Sequence, residues 1–173
     1  MIPVVNGGFS IRAAGRDDLA AVHTMIRQLA AYENLTHLCV ATEADLREAL
    51  QGPHPAAEVL VAWKGEDPAG FALFFHHYST FVGRRGIWLE DLFVRPFHRR
   101  QGCARALLRA VAALAVERNC GRFEWSVLDW NADAIEFYRA LGASVLPDWR
   151  IVRVVGPALA ALAAGPPAGG ADR

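Results

Sequence analysis

The chain has 173 residues, which is long enough for one domain with a sizeable buried core. Hydrophobic residues make up 53% of the sequence and charged residues 21%, and this balance indicates a folded globular protein rather than a disordered chain. Eighteen basic and eighteen acidic side chains give a formal net charge of zero. The composition therefore gives no support for a nucleic acid or an anionic membrane as the main partner.

Cysteine and histidine usage argues against a secreted or metal-binding protein. Cys39, Cys103 and Cys120 are odd in number and far apart, so they predict neither a disulfide framework nor a C-x-x-C zinc site. The histidines show no ligand spacing, and residues 1–10 lack the pattern of a signal peptide. No apolar run is long enough to span a bilayer. Together, these observations lead us to expect a cytoplasmic protein that binds no metal.

Strand and helix patterns alternate along the chain in the order β-α-α-β-β-β-α-β-α-β. The predicted strands span residues 9–13, 58–64, 70–78, 87–95, 123–127 and 149–155. The predicted helices begin at Asp17, Thr42, Ala104 and Asn131 and end near residues 30, 52, 118 and 141. Thr42 is an apt N-terminal cap, because Asp45 three residues later completes an approximate capping box.

This order predicts an α/β fold. An antiparallel meander followed by one strand–helix–strand crossover gives a mixed, mostly antiparallel sheet of six to seven strands with helices on both faces. We expect a single domain over residues 1–155. Residues 156–173 are rich in Ala, Gly and Pro and are expected to form a tail with at most a short helical turn near residues 158–164.

The most informative segment, residues 94–105, joins a predicted strand to the start of a helix. Gly102 and Ala104 allow the backbone to approach a ligand closely, and the N–H groups of the first helical turn favour an anion. The segment also carries Arg95, Arg99, Arg100 and Arg105. It therefore suits a pyrophosphate, although a solvated basic turn explains the charge equally well. It has neither G-x-G-x-x-G nor G-x-x-x-x-G-K-[ST], so Rossmann and P-loop chemistry are not indicated.

Several motifs resemble the GNAT superfamily of N-acetyltransferases. Residues 99–104 (RRQGCA) match the R/Q-x-x-G-x-G/A acetyl-CoA loop and lie where that family has it, between the fourth strand and the next helix. Residues 29–33 (LAAYE), 89–94 (LEDLFV), 130–131 (WN) and 137–143 (FYRALGA) are similar to the diamine (spermidine/spermine) and thialysine acetyltransferase branch. This resemblance implies acetyl-CoA as donor, direct transfer without an acyl-enzyme, and a homodimer.

The resemblance also implies which residues perform the chemistry. A primary amine with a pKa near ~10.4 must lose a proton before it attacks a thioester. Glu90 lies in an otherwise apolar strand and matches the proposed base of the diamine enzymes, acting directly or through water. Alternation predicts that Asp91 lies on the opposite face in a structural role, and an ordinary ion pair is the alternative for either carboxylate. Tyr138 matches the acid that faces the CoA sulfur, the alternative being a core tyrosine.

The other site residues follow from the same resemblance. The residues expected to contact acetyl-CoA are Leu92, Phe93, Val94, Arg99, Arg100, Gln101, Gly102, Cys103, Ala104, Arg105, Asn131 and Tyr138. The residues expected to contact the amine are Tyr32, Glu33, Glu90 and Trp149.

The acceptor itself stays open. The diamine enzymes carry an acidic residue where Ser79 falls and a tryptophan where Phe81 falls, so this chain departs from the polyamine pattern. A diamine, a polyamine or a thialysine-like amine is the first expectation. A protein amine, an amino acid or an aminoglycoside is the alternative acceptor, and a non-catalytic acetyl-CoA-binding regulatory module is the alternative class.

Overall fold

A computed structural model describes residues 4–6 and 8–165 of the chain. It divides into two compact units, Met1–Ser126 and Val127–Arg173, each of which is described by itself. The last part of the predicted tail, after residue 165, lies outside the described residues. Among those described, no helix is long and apolar enough to cross a membrane.

The first unit contains one six-stranded sheet whose strands lie in chain order. The strands are β1 (Val4–Asn6), β2 (Phe9–Ala13), β3 (Glu58–Lys64), β4 (Asp67–Ser79), β5 (Arg84–Val94) and β6 (Arg122–Trp125). Neighbouring strands are antiparallel except for β5 and β6, which are parallel. The predicted meander and crossover are confirmed, and β1 is a strand that the sequence pattern did not indicate.

Three helices complete this unit: α1 (Leu19–Tyr32), α2 (Glu43–Gln51) and α3 (Cys103–Glu117). The Thr42 hydroxyl accepts from the Asp45 N–H, and the Asp45 carboxylate accepts from the Thr42 N–H, so the predicted capping box is present. Helix α3 supplies the crossover between β5 and β6 and begins one residue earlier than expected. Its N-terminus therefore directly follows Gly102.

The sheet is covered on both faces. One face packs against α1 and α2 through a buried cluster that includes Val22, Leu46, Phe71 and Phe93. The opposite face packs against α3, because Leu114 lines the same cavity as Leu60 and Phe74. Alternating side chains of the central strands are therefore buried on both sides, which explains why β3 and β4 are nearly continuous apolar runs.

The second unit contains α4 (Ala132–Arg139) and α5 (Gly156–Ala164). Asn131 caps α4, as predicted, by accepting from the Ala134 N–H at 3.3 Å. The predicted strand over residues 149–155 is wrong, since those residues adopt no strand and Ile151 and Val152 are 69% and 88% exposed. An apolar run suggests a strand, but it becomes one only where a partner edge accepts its backbone hydrogen bonds.

Candidate active site

A β-bulge interrupts the pairing of β4 with β5. Leu73 lies opposite Asp91 and Phe74 lies opposite Leu89, so Glu90 is an extra residue with no partner of its own. A bulge of this kind bends the strand and changes the direction of the side chains around it. It lies on the strand that leads into the basic loop.

The bulge directs both carboxylates to the same face of the sheet. Asp91 pairs with Leu73, which packs against the cluster beneath α1. Trp88 pairs with Phe75, two residues beyond Leu73 and therefore on the same face, and its indole Nε1–H donates to Glu90 Oε2 at 3.0 Å. The expectation that Glu90 and Asp91 lie on opposite faces is therefore wrong, because simple alternation fails across a bulge.

Glu33, at the C-terminal end of α1, completes an acidic group with Glu90 and Asp91. Burial, followed by the nearby charges of Glu90 and Glu33, raises the pKa of Asp91 to about 6. Burial also raises the pKa of Glu33. Glu90 is exposed, so it is the member most open to solvent. A cation bound beside this group would favour the ionised form of Asp91.

The loop after β5 has the backbone form that the sequence predicted. Gly102 has a φ of 86°, and apart from its chain neighbours no described heavy atom lies within 4 Å of the position that a Cβ would occupy. It is the N-terminal cap of α3, so the N–H groups of Cys103, Ala104 and Arg105 begin the helix without carbonyl partners in a preceding turn. Arg100 also adopts a left-handed φ, of 58°. The loop therefore presents open space and N–H donors together.

The four arginines of this segment have different surroundings. Arg95 donates to Asp67 at 3.1 Å. Arg99 donates through Nε to the Val94 carbonyl at 3.0 Å, and its guanidinium lies over the Tyr32 and Phe93 rings. Arg100 and Arg105 are exposed at the surface of the loop. Arg99 is exposed too, but these last two side chains make no hydrogen bond, ion pair or ring contact with the described residues, and this leaves them the most available to an added phosphate.

The turn between β3 and β4 supports the loop, and sequence reasoning did not find this support. Asp67 accepts from Arg95 and contacts His98 Nε2 at 2.7 Å. Lys64 donates to Gln101 Oε1 at 2.6 Å, and the Gln101 amide in turn donates to the Phe97 carbonyl. The turn chemistry of residues 64–68 signals a hairpin, but nothing in its spacing indicates that it contacts a loop thirty residues later.

The edge of β5 beside β6 is open next to the bulge. The pairing of β5 with β6 ends at Leu89 and Trp125, and no other described strand pairs with β5 from Glu90 to Val94 on that edge. Leu92 and Val94, expected to contact the donor, lie on this segment. An edge of this kind presents backbone N–H and C=O groups to any extended ligand.

Cys103 and the histidines do not form a reactive centre. Cys103 is 1% exposed, and burial raises the pKa of its thiol to about 12. A thiol held neutral in this way is a poor nucleophile. His76 pairs with Ile87 and His77 with Gly86, as consecutive residues on opposite faces. Within the described ranges, no three His, Cys, Asp or Glu side chains are grouped to hold a metal ion.

The remaining predicted site residues belong to the second unit. Asn131 and Tyr138 lie at the start and near the end of α4, and the Tyr138 ring packs against Phe137 at 5.5 Å between centroids. Tyr138 is half-buried. Trp149 is 75% exposed and lies in the segment without regular structure. Glu90, Asp91 and the loop belong to the first unit.

The fold and these features define an acetyltransferase. A model of the acetyltransferase (GNAT) family matches residues 25–143, which is more than half of the chain. The chain belongs to the GNAT acetyltransferase family.

Relatives of known activity match most of the chain. An L-ornithine N5-acetyltransferase of Arabidopsis thaliana is 36% identical, and the match covers 88% of this chain and 86% of the relative. A thialysine N-epsilon-acetyltransferase of Sus scrofa is also 36% identical, with 88% and 96% covered. A V. cholerae integron cassette protein has the same fold, with a TM-score of 0.76 at 24% identity over 90% of this chain and 98% of its own. The chain is therefore an N-acetyltransferase.

Proposed function

We propose that this chain transfers acetyl from acetyl-CoA directly to a primary amine of a small cationic acceptor, namely a diamine, a polyamine or a thialysine-like amine. The observation that carries the proposal is the group of three carboxylates, Glu33, Glu90 and Asp91, at the bulge of β5. The same strand continues into the basic loop. The proposed acceptor site and the proposed donor site therefore both adjoin β5.

The residues around the loop fit the donor that the family uses. The open space at Gly102 and the first N–H groups of α3 suit the pyrophosphate, with Arg100 and Arg105 adding charge. The open edge of β5 at Leu92 and Val94 suits an extended chain of amides such as the pantetheine arm. When bound, acetyl-CoA supplies an activated thioester. Of the other expected donor contacts, Gln101 and Ala104 lie in the same loop, and Asn131 caps α4.

The proposed chemistry needs one base and one acid. Glu90, directly or through water, accepts the proton that the ammonium group of the acceptor must lose. The amine nitrogen then forms a bond to the acetyl carbonyl carbon, the carbon–sulfur bond breaks, and Tyr138 gives a proton to the thiolate. The nitrogen loses its second proton as the amide forms, and this proton balances the one that Tyr138 gave up. No acyl-enzyme is required, which agrees with the buried, neutral thiol of Cys103.

Two observations support a small cationic acceptor. Burial and the charges of Glu90 and Glu33 disfavour the ionisation of Asp91, and a cation bound beside Asp91 would favour its ionised form. Relatives named as ornithine and thialysine acetyltransferases act on amines of this kind. Tyr32, beside Glu33, and Trp149 are proposed as further acceptor contacts. We also propose that the protein is a cytoplasmic homodimer that needs no metal.

A thiol-release assay with acetyl-CoA and a matched amine panel tests the proposal. The panel is L-ornithine, thialysine, putrescine, spermidine, n-butylamine, a lysine-containing peptide and an aminoglycoside. We expect the highest kcat/KM for a small acceptor with a second cationic group, and a much lower value for n-butylamine, which has none. A preference for the peptide or the aminoglycoside would contradict the acceptor class. Tight CoA binding without turnover of any amine would indicate a regulatory module instead.

A further inference from the structure

Arg99 begins the acetyl-CoA motif, but its side chain contacts α1 rather than the open part of the loop. The guanidinium carbon lies 4.7 Å from the Tyr32 ring centroid and 5.8 Å from the Phe93 ring centroid. Its Nε–H donates to the Val94 carbonyl at 3.0 Å. Two aromatic faces and one carbonyl therefore fix the direction of this side chain.

These contacts distinguish Arg99 from its neighbours in the loop. All three side chains are exposed, but only Arg99 makes a hydrogen bond and aromatic contacts with other described residues. Stacking uses the face of a guanidinium and leaves N–H donors at its edge, so the contacts with Tyr32 and Val94 give Arg99 a role that does not depend on a phosphate. Arg99 therefore differs from Arg100 and Arg105 in its contacts within the protein and not in its exposure.

The ring beneath Arg99 belongs to the acceptor side of the proposed site. Tyr32 is the last residue of α1, and Glu33 directly follows it. The charge of Glu33 is one of the causes that raise the pKa of Asp91. The end of α1 therefore connects the loop, through Arg99, to the acidic group at the bulge.

We propose that Arg99 is a positioning residue that joins the donor loop to the C-terminal end of α1, and that it acts on acceptor binding rather than as a phosphate ligand. The proposal rests on the function proposed above. The Arg99–Tyr32 contact is present without a donor, so Arg99 holds the end of α1, and with it Glu33, whichever donor the loop binds. Loss of the Arg99 side chain should therefore weaken acceptor binding with any donor.

Two donors separate this role from phosphate binding. S-acetylpantetheine has the thioester and the amide arm of acetyl-CoA but lacks its pyrophosphate and 3′-phosphate. Arg99→Gln should raise the acceptor KM about threefold to tenfold with both donors. The matched variant Arg105→Gln should raise the donor KM with acetyl-CoA only. An Arg99→Gln defect confined to acetyl-CoA, with an unchanged acceptor KM, would overturn the proposal.

A double-mutant cycle tests the contact itself. Tyr32→Leu removes the aromatic face, and combining it with Arg99→Gln should raise the acceptor KM no further than the more impaired single variant. Tyr32→Phe keeps the face and should remain sensitive to Arg99→Gln. Additive effects of Tyr32→Leu and Arg99→Gln, in variants that melt like the wild type, would show that the two side chains act independently and would refute the proposal.

Calorimetry of CoA binding keeps this test separate from the acceptor assignment. If wild-type protein acetylates no amine, the proposed function has failed, but the affinity for CoA is still measurable. Arg99→Gln should then retain CoA affinity while Arg105→Gln loses part of it. Equal losses in the two variants would identify Arg99 as an ordinary phosphate ligand.

Discussion

Glu90 and Asp91 are consecutive residues of β5, yet both carboxylates lie on the same face of the sheet, because Glu90 is the extra residue of a bulge. Without the bulge one of them would lie on the α3 face. The bulge thus places two carboxylates beside the end of α1, where Glu33 adds a third. This local change of direction is what makes the strand suitable for a cationic acceptor.

Acceptor binding should weaken as Asp91 takes up a proton. The pKa of Asp91 is raised to about 6, so the carboxylate is ionised at pH 8 and becomes neutral as the pH falls through that value. A bound cation favours the ionised form, and the acceptor KM should therefore rise between pH 7 and pH 5. In Asp91→Asn the KM should be higher at pH 8 and change less over this interval. Parallel KM profiles for the two proteins would contradict this role.

The contribution of Asp91 to folding stability should fall as the pH rises, whereas the contribution of a typical carboxylate increases. In the unfolded chain an aspartate loses its proton near pH ~3.9, whereas in the folded protein Asp91 keeps it to about pH 6. The unfolded state thus binds fewer protons in this window, and the contribution of Asp91 to stability falls as the pH rises from 4 to 6. Asp91→Asn should remove this loss, on the order of 1–3 kcal/mol by pH 7. Thermal melting of the wild type and of Asp91→Asn at pH 4 and pH 7 measures this loss. If the two proteins differ by the same amount at both pH values, Asp91 makes no such contribution.

Gly102→Ala should weaken acetyl-CoA binding, because its Cβ would occupy the open space of the loop. The left-handed backbone alone costs about 1 kcal/mol for alanine. Gly8→Ala is the matched control, since Gly8 has a φ of 83° and also has no atom within 4 Å of its Cβ position. Both variants should melt slightly below the wild type. Only Gly102→Ala should raise the Kd for acetyl-CoA, by about tenfold, or 1.4 kcal/mol. Wild-type affinity in calorimetry would rule out the pyrophosphate assignment.

Tyr138→Phe should lower kcat while CoA affinity is retained, because only a hydroxyl proton donor is removed. General acid catalysis predicts a loss on the order of 10²-fold. Tyr78→Phe removes a hydroxyl from a side chain that is 64% exposed and should serve as the control. Steady-state kinetics from pH 6 to pH 9 measure both variants. A Tyr138→Phe protein with wild-type kcat throughout would leave this tyrosine with a packing role.

The features that sequence predicts well are local. Thr42 and Asp45 specify a helix start through their own hydrogen bonds, and Gly102 specifies a left-handed turn because it lacks a Cβ. The register of two strands depends on residues far apart in the chain, so alternation alone could not reveal that Glu90 is an extra residue. The contact of Asp67 with His98 depends in the same way on how the hairpin and the loop meet.

The incorrect strand over residues 149–155 has a related cause. Its apolar residues satisfy a strand pattern, but a strand also needs a partner whose hydrogen bonds it completes. The sequence could not predict the direction of the Arg99 side chain either. The motif indicates a basic loop, but it does not indicate which of its arginines contact other parts of the protein. Motifs therefore identify the family and the loop, but only the structure shows which arginines of the loop have partners within the protein.

Glu90, as proposed, removes a proton from a cationic amine acceptor. Glu90→Gln preserves the shape and the Trp88 hydrogen bond while removing the basic oxygen, and Glu66→Gln in the β3–β4 turn is the matched control. The loss in kcat/KM should be on the order of 10²-fold near pH 7, where almost all of the amine is protonated. It should shrink above pH 9, where the free amine is more abundant.

The most direct measurement is the ratio of wild-type to Glu90→Gln kcat/KM for the best acceptor as a function of pH from 6 to 10. We predict a ratio that is large at neutral pH and declines as the pH rises, with Glu66→Gln indistinguishable from wild type throughout. A ratio that stays constant would mean that Glu90 only attracts the cation. A ratio of one at every pH, in a variant that melts like the wild type, would show that Glu90 neither accepts the proton nor attracts the cation.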